Sequence, residues 1–220
     1  MEKQQGPRYR QPISRSAQKE NSLTVAYNKA AALLRDEAPL AVCQRTGAVY
    51  DNSSYRVPFL GTTYTIHMPD VRFDSSDNLT IVEVLILHYL TTTGTVPVKG
   101  EFVSFSGLPG AMFYFPSFRN RALLGLVHTF GSQPAALAKA AETLGGQRWH
   151  TGEHAWVLPV LPRVDIVCTV YPADDEFPAE ANMLFSDSIS NFLPVEDTAF
   201  LGGFVVGMLT RASAIRLPRR

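Results

Sequence analysis

The stretch "AWVLPVLPRVDIVCTVYPADDEFPAEANMLF", residues 155–185, decides the fold class. It holds three apolar runs, near 155–161, 164–171 and 180–185, each of strand length and parted by Pro- and Asp-bearing turns. Strands that follow one another without a helix between them do not build parallel βαβ units, so the sheet is expected to be mixed or antiparallel. Downstream, "PVEDTAFLGGFVVGMLTR" (194–211) reads as a helix. Pro194, Glu196 and Asp197 occupy its first turn, where acids complement the positive end of the helix dipole. Gly203 and Gly207 lay a smooth strip along it that allows close helix packing.

Upstream, residues 132–146 read as a helix, and residues 103–131 as a Gly-Pro loop leading into another. Pro116 suits the first turn of that helix and Gly131 the position after its end. Phe118, Ala122, Leu126 and Val127 form its inward stripe. "NLTIVEVLILHYLTTTG" (78–94) is apolar almost all round, which predicts a buried helix capped by Asn78 and ended by Gly94; its β-branched residues leave a strand open. Residues 55–73 alternate, with Tyr64, Ile66 and Met68 against Thr63, Thr65 and His67, around a hairpin turn at Gly61-Thr62. Residues 22–37 have helical composition, with Ser22 as N-cap, Ala26, Ala30 and Leu33 on one face, and Pro39 beyond the end. The order predicts an α+β fold, a mixed or antiparallel sheet packed by helices, in a single domain over 21–211. Residues 1–20 are expected to be a flexible basic tail and 212–220 a second basic tail.

The chain has 220 residues, 45% hydrophobic and 18% charged, which suffices for a real core. Its formal net charge is zero, so nucleic acid is not the expected partner. The N-terminus lacks the apolar core of a secretory signal, and no run reaches the roughly 20 apolar residues of a membrane helix. Cys43 and Cys168 are too few for an iron–sulfur site or a disulfide framework. They fit two buried thiols, and the expectation is a cytoplasmic protein without membrane insertion.

Four constellations could carry chemistry. "HTGEH" (150–154) matches an H-x-x-E-H zinc pattern in letters, but that motif needs one helix, and here Gly145, Gly146 and Gly152 surround it; a polar loop is expected. His88, followed by Tyr89 in "LILHYL", is either an axial ligand for a tetrapyrrole metal or a core imidazole, the commoner use. "AMFYFPSFRNR" places Tyr114, Arg119 and Arg121 around a helix start, where Arg forks read carboxylate or phosphate. The fourth is "DDEFPAEANMLFSDSISNFLPVED" (174–197), with seven carboxylates and no cation. Asp174, Asp175 and Glu176 suit a turn, and the spacing does not match a calcium loop. Arg121, and then Arg119, is expected to pair with an acid of this segment.

"LILHYL", "VSFSGLPG…FYFPSFRNRA", "LPVLPRVDI" and "DDEFPAEANMLFSDSISNFLPVEDTAFLG" together resemble domain-of-unknown-function family 3786, over about residues 22–210. The positions that carry the likeness are His88, Tyr89, Phe105, Arg121, Pro159, Pro162, Glu176, Phe177, Pro178, Leu184, Phe185, Pro194 and Asp197. The chain departs from the family by lacking a ferredoxin-type cysteine cluster, and by Asn191-Phe192 where His-Tyr is expected. The resemblance implies a setting in anaerobic redox or one-carbon metabolism. It implies a non-catalytic accessory protein that binds a corrinoid or haem-type cofactor, or an iron–sulfur or corrinoid protein partner. Two alternatives stand beside it. One is a hydrolase or lyase using Glu176 or Asp175 with Arg121. The other is a structural subunit docking through its basic tails.

Overall fold

The computed structural model describes the backbone of residues 15–74, 80–94 and 100–213, and side chains from residue 22 onward. The fold is α+β, with two antiparallel sheets rather than one. The smaller sheet is a meander of β1 (Val49–Asp51), β2 (Ser54–Phe59), β3 (Thr62–His67) and β4 (Arg72–Phe73) in sequential order. The β2–β3 hairpin turns at Leu60-Gly61, where both residues have positive φ.

The larger sheet contains β5 (Phe102–Ser104), β6 (Gln147–Arg148), β7 (Ala155–Leu161), β8 (Val164–Tyr171) and β9 (Glu180–Ser186), in the order β5-β9-β8-β7-β6. The three runs that opened the sequence are its centre. In β8, Ile166 to Val170 are buried without interruption, so both faces of this strand are covered. Burial pushes the Cys168 thiol up to about 12, and it behaves as a small apolar side chain. Cys43 is half-buried, and both cysteines are free. The Leu60 N–H donates to the Val160 carbonyl at 3.1 Å, tying the small sheet to the large one.

Seven α-helices are described: α1 (Arg15–Arg35), α2 (Pro39–Thr46), α3 (Ile81–Leu90), α4 (Phe115–Phe118), α5 (Leu124–Phe130), α6 (Pro134–Thr143) and α7 (Val195–Ala212). One turn of π-helix, Arg119–Leu123, joins α4 to α5. The inward stripe of this stretch contains Phe118, Ala122, Leu126 and Phe130, while Val127 is half-buried. Phe118 stacks on Phe105 at 4.2 Å and meets Phe185 at 5.8 Å, so two positions of the resemblance, Phe105 and Phe185, are core.

Several expectations are corrected. α1 starts at Arg15, inside the stretch expected to be a flexible tail, so Ser22 lies within the helix and does not cap it. Its buried positions are Ala30, Ala31 and Leu34, and Leu33 is 51% exposed. Residues 1–14 and 214–220, the rest of both expected tails, lie outside the described residues. α2 was unforeseen; Pro39 lies beyond the end of α1, as expected, and also opens α2 at its first turn. The cap of α3 is Thr80, in a capping box with Glu83, whereas the expected cap, Asn78, lies outside the described residues. α3 ends at Leu90, short of Gly94.

Gly203, one of the two glycines expected to allow close packing of α7, does so: a Cβ there would come within 3.0 Å of the Arg121 Cβ. A Cβ on Gly202 would come within 2.7 Å of the Phe118 ring, and one on Gly125 within 3.0 Å of Val206. A Cβ on Gly207 would meet nothing within 4 Å, so that glycine opens a surface instead.

Candidate functional site

The last turn of α3 meets the first turn of α7. α3 is buried on nearly every side because almost every residue from Ile81 to Leu90 is apolar, and His88 is its one half-buried polar side chain after the capping Glu83. Asp197 stands in the first turn of α7, where the unpaired N–H groups favour a negative charge. His88 Nδ1 and Asp197 Oδ2 lie 2.5 Å apart, with 27% and 13% of their side chains exposed. An ionised carboxylate only accepts hydrogen bonds, so Nδ1 is the donor, and the neutral ring keeps its lone pair on Nε2. Nε2 has no hydrogen-bond partner among the described residues.

His88 forms part of the wall of a cavity of about 510 Å³. α1 contributes Lys29 and the exposed Leu33, the segment after α3 contributes Thr91 to Gly94, and the segment before α7 contributes Ser190 to Pro194. The last two walls are held together. Thr92 Oγ1 donates to the Asn191 carbonyl, and a Cβ on Gly94 would come within 2.4 Å of that oxygen. Only glycine permits this approach. The lining is thus one carboxylate-anchored imidazole, one ammonium, several hydroxyls and an amide, beside apolar Leu33, Phe192, Leu193 and Pro194. Such a mixture of apolar wall and a few convergent polar groups, at this size, suits a small organic ligand.

The other candidate residues fall elsewhere. Tyr89 is fully buried; its hydroxyl donates to the Thr46 carbonyl at 2.5 Å and accepts from the Arg163 N–H at 3.1 Å. Burial raises its phenol far above the usual range, and its position is structural. Tyr114 donates to Glu196 Oε2 at 3.4 Å, and the Glu196 charge raises its pKa; it stands near the dyad without lining the cavity.

Arg119 and Arg121 are exposed, and among the described residues neither pairs with an acid of 174–197. Arg121 instead lies over the Phe200 ring at 6.0 Å. The partner that the acidic segment does find is the His88 imidazole. Asp175 and Glu176 are exposed on the loop between β8 and β9. No described hydrogen bond or ion pair brings these two carboxylates together with Arg121. The 150–154 motif lies in a turn before β7, with His154 3.9 Å from Glu153. No group of three His, Cys, Asp or Glu residues is placed to hold a metal ion among the described residues. In those same residues no helix is long and apolar enough to cross a membrane.

Sequence reasoning singled out His88 and placed Asp197 in a first turn, but it did not pair them. The signal available was that both positions carry the family likeness. No curated protein and no solved structure matches the chain. A family model described as "Domain of unknown function (DUF3786)" matches residues 38–208, a span that holds both members of the dyad and most of the cavity wall, and the chain belongs to that family.

Proposed function

We propose that this chain is a non-catalytic binding protein whose His88 cavity takes a metal tetrapyrrole of corrinoid or haem type, with Nε2 as axial ligand. The observation that carries the reading is the 2.5 Å bond from His88 Nδ1 to Asp197. A carboxylate on the far nitrogen orients an imidazole and strengthens it as a donor to a metal. The donor set fits this class of ligand. A bare ion needs three or four protein ligands, which the described residues do not gather. A tetrapyrrole brings four nitrogens of its own and needs one more. Lys29, Thr91 to Thr93 and Asn191 would meet the acidic or amide side chains of such a ring, and Leu33 and Phe192 its apolar surface.

In this reading the protein holds the cofactor for a partner, an iron–sulfur or corrinoid protein in the cytoplasm. A second reading draws on the same bond: a ring fixed with Nε2 unprotonated could serve as general base toward a cavity-bound substrate.

The test is a titration of the purified protein with haem and, separately, with cobalamin. The wild type should show a shifted visible band with one of them. His88→Ala should abolish it, and Asp197→Ala should weaken binding about 10–100-fold. An unperturbed spectrum with both cofactors, or a bound spectrum unchanged in His88→Ala, overturns the proposal.

A further inference from the structure

Further along α7 the surface opens again. Two joined depressions of about 420 and 520 Å³ share Arg121, Gly203, Gly207 and Arg211. Phe200, Phe204 and Met208 give the groove an apolar side, and His128 of α5 stands opposite. Among the described residues, no Asp or Glu lines either depression. Arg121 and Arg211 are exposed, and neither has an ion-pair partner among the described residues.

The same chain carries a feature of opposite character. In the loop between β8 and β9, Asp174, Asp175 and Glu176 are exposed, and Phe177 follows at 65% exposure. The loop is pre-formed. Asp174 Oδ1 accepts from the N–H groups of Phe177 at 2.7 Å and Glu176 at 2.9 Å, and the Asp174 N–H donates to the Phe177 carbonyl at 3.0 Å. A large aromatic held out in water is a residue type enriched at interfaces, and a loop already ordered loses little entropy on docking. The loop's base lies against the end of α5, where Ala179 would sit 3.1 Å from a Cβ on Gly131. Loop and groove therefore flank the same short helix, so a two-fold axis can bring each to the other reciprocally.

We propose that the groove is a docking site for a second copy of this chain. Phe177 of each copy lies on the Phe200–Met208 side of the other's groove, and Asp175 and Glu176 pair with Arg121 and Arg211. The contact supplies between chains the Arg–carboxylate pairing that the acidic segment does not make among the described residues of one chain.

Sedimentation equilibrium on the full chain tests this. The wild type should form dimers. Reversing the groove (Arg121→Glu with Arg211→Glu) should give monomers, and so should reversing the loop (Asp175→Arg with Glu176→Arg). Mixing the two reversed variants should restore dimers, because each groove then meets a loop of opposite charge. Phe177→Ala, a change at a side chain 65% exposed, should raise the dimer dissociation constant about tenfold or more. A monomeric wild type, a dimer that survives either reversal, a Phe177→Ala dissociation constant equal to the wild type's, or a mixture that stays monomeric overturns the proposal. If a reversed variant fails to fold, the wild-type and Phe177→Ala measurements still decide.

Discussion

A His–Asp pair 2.5 Å long occurs both at the edge of the small sheet and at the junction of α3 and α7. At the sheet edge, His67 Nε2 of β3 meets Asp74 Oδ1, one residue past β4, with 37% and 62% of the side chains exposed. His67 Nδ1 is engaged as well, with Ser54 Oγ at 3.0 Å. Both ring nitrogens are satisfied, so the pair clips β2, β3 and the end of β4 together and has no donor left for a ligand. At the helix junction His88 uses Nδ1 alone, and the ring borders a cavity. Equal contact lengths therefore mark different roles. What separates them is the number of ring nitrogens already spent and how far water can reach.

Moving α7 should have the largest effect on the difference between the two pairs. Gly202→Val would push a branched side chain into the Phe118 ring, 2.7 Å from where its Cβ begins. Overpacking of this kind should cost about 3 kcal/mol. It should lengthen the His88–Asp197 bond while leaving His67–Asp74 intact. Chemical denaturation gives the first quantity, and the imidazole resonances of the two histidines give the second.

Asp197→Ala should come next. It removes a charged hydrogen-bond partner from a mostly buried site, an effect of about 1.5–3 kcal/mol. Denaturant midpoints check this. A loss indistinguishable from zero would place the α3–α7 pair with the exposed one.

Asp74→Ala should have the smallest effect, because a well-exposed pair is screened by water and salt. It should leave the melting temperature at neutral pH nearly unchanged, with any difference vanishing in high salt. Its signature lies in acid. The His67 hydrogen bond holds the Asp74 carboxyl below its usual range. A lowered folded-state pKa contributes stability above the ordinary aspartate pKa, and that stability is lost as pH falls through the lowered value. Thermal melts from neutral pH into acid should therefore show a shallower decline for the variant than for the wild type.

Much of the fold was legible in the letters. β7, β8 and β9 lie where three apolar runs and their turns put them, and α7 differs by one residue at each end. These elements are set by short-range pattern: run length, Pro and Asp at the breaks, acids at a helix start. α2 and β1 were missed because eight and three residues are too short to show a period. The face of α1 was set one position off, since Ala26, Ala30 and Leu33 make an acceptable stripe in isolation, whereas packing in the fold buries Ala31 and Leu34. The turn at 174–177 was legible too, because an Asp that accepts from the N–H groups two and three residues on is a local device.

The site divides in the same way. That His88 sits on an apolar helix, and that Asp197 stands at a helix N-terminus, followed from the sequence, because each depends only on neighbours a turn away. That they meet did not, since 109 residues separate them and many other acids could have reached the imidazole. Charge counting favoured Arg121 for the acidic segment, but the π-helical turn and the exposed side of α7 set that guanidinium over Phe200 instead. Local pattern fixes which residues lie at helix ends, because capping and the helix dipole act within one turn. Which ends come together is decided by packing between distant segments, as where Gly202 seats α7 against Phe118 of α4 and where Asp197 meets His88 across 109 residues.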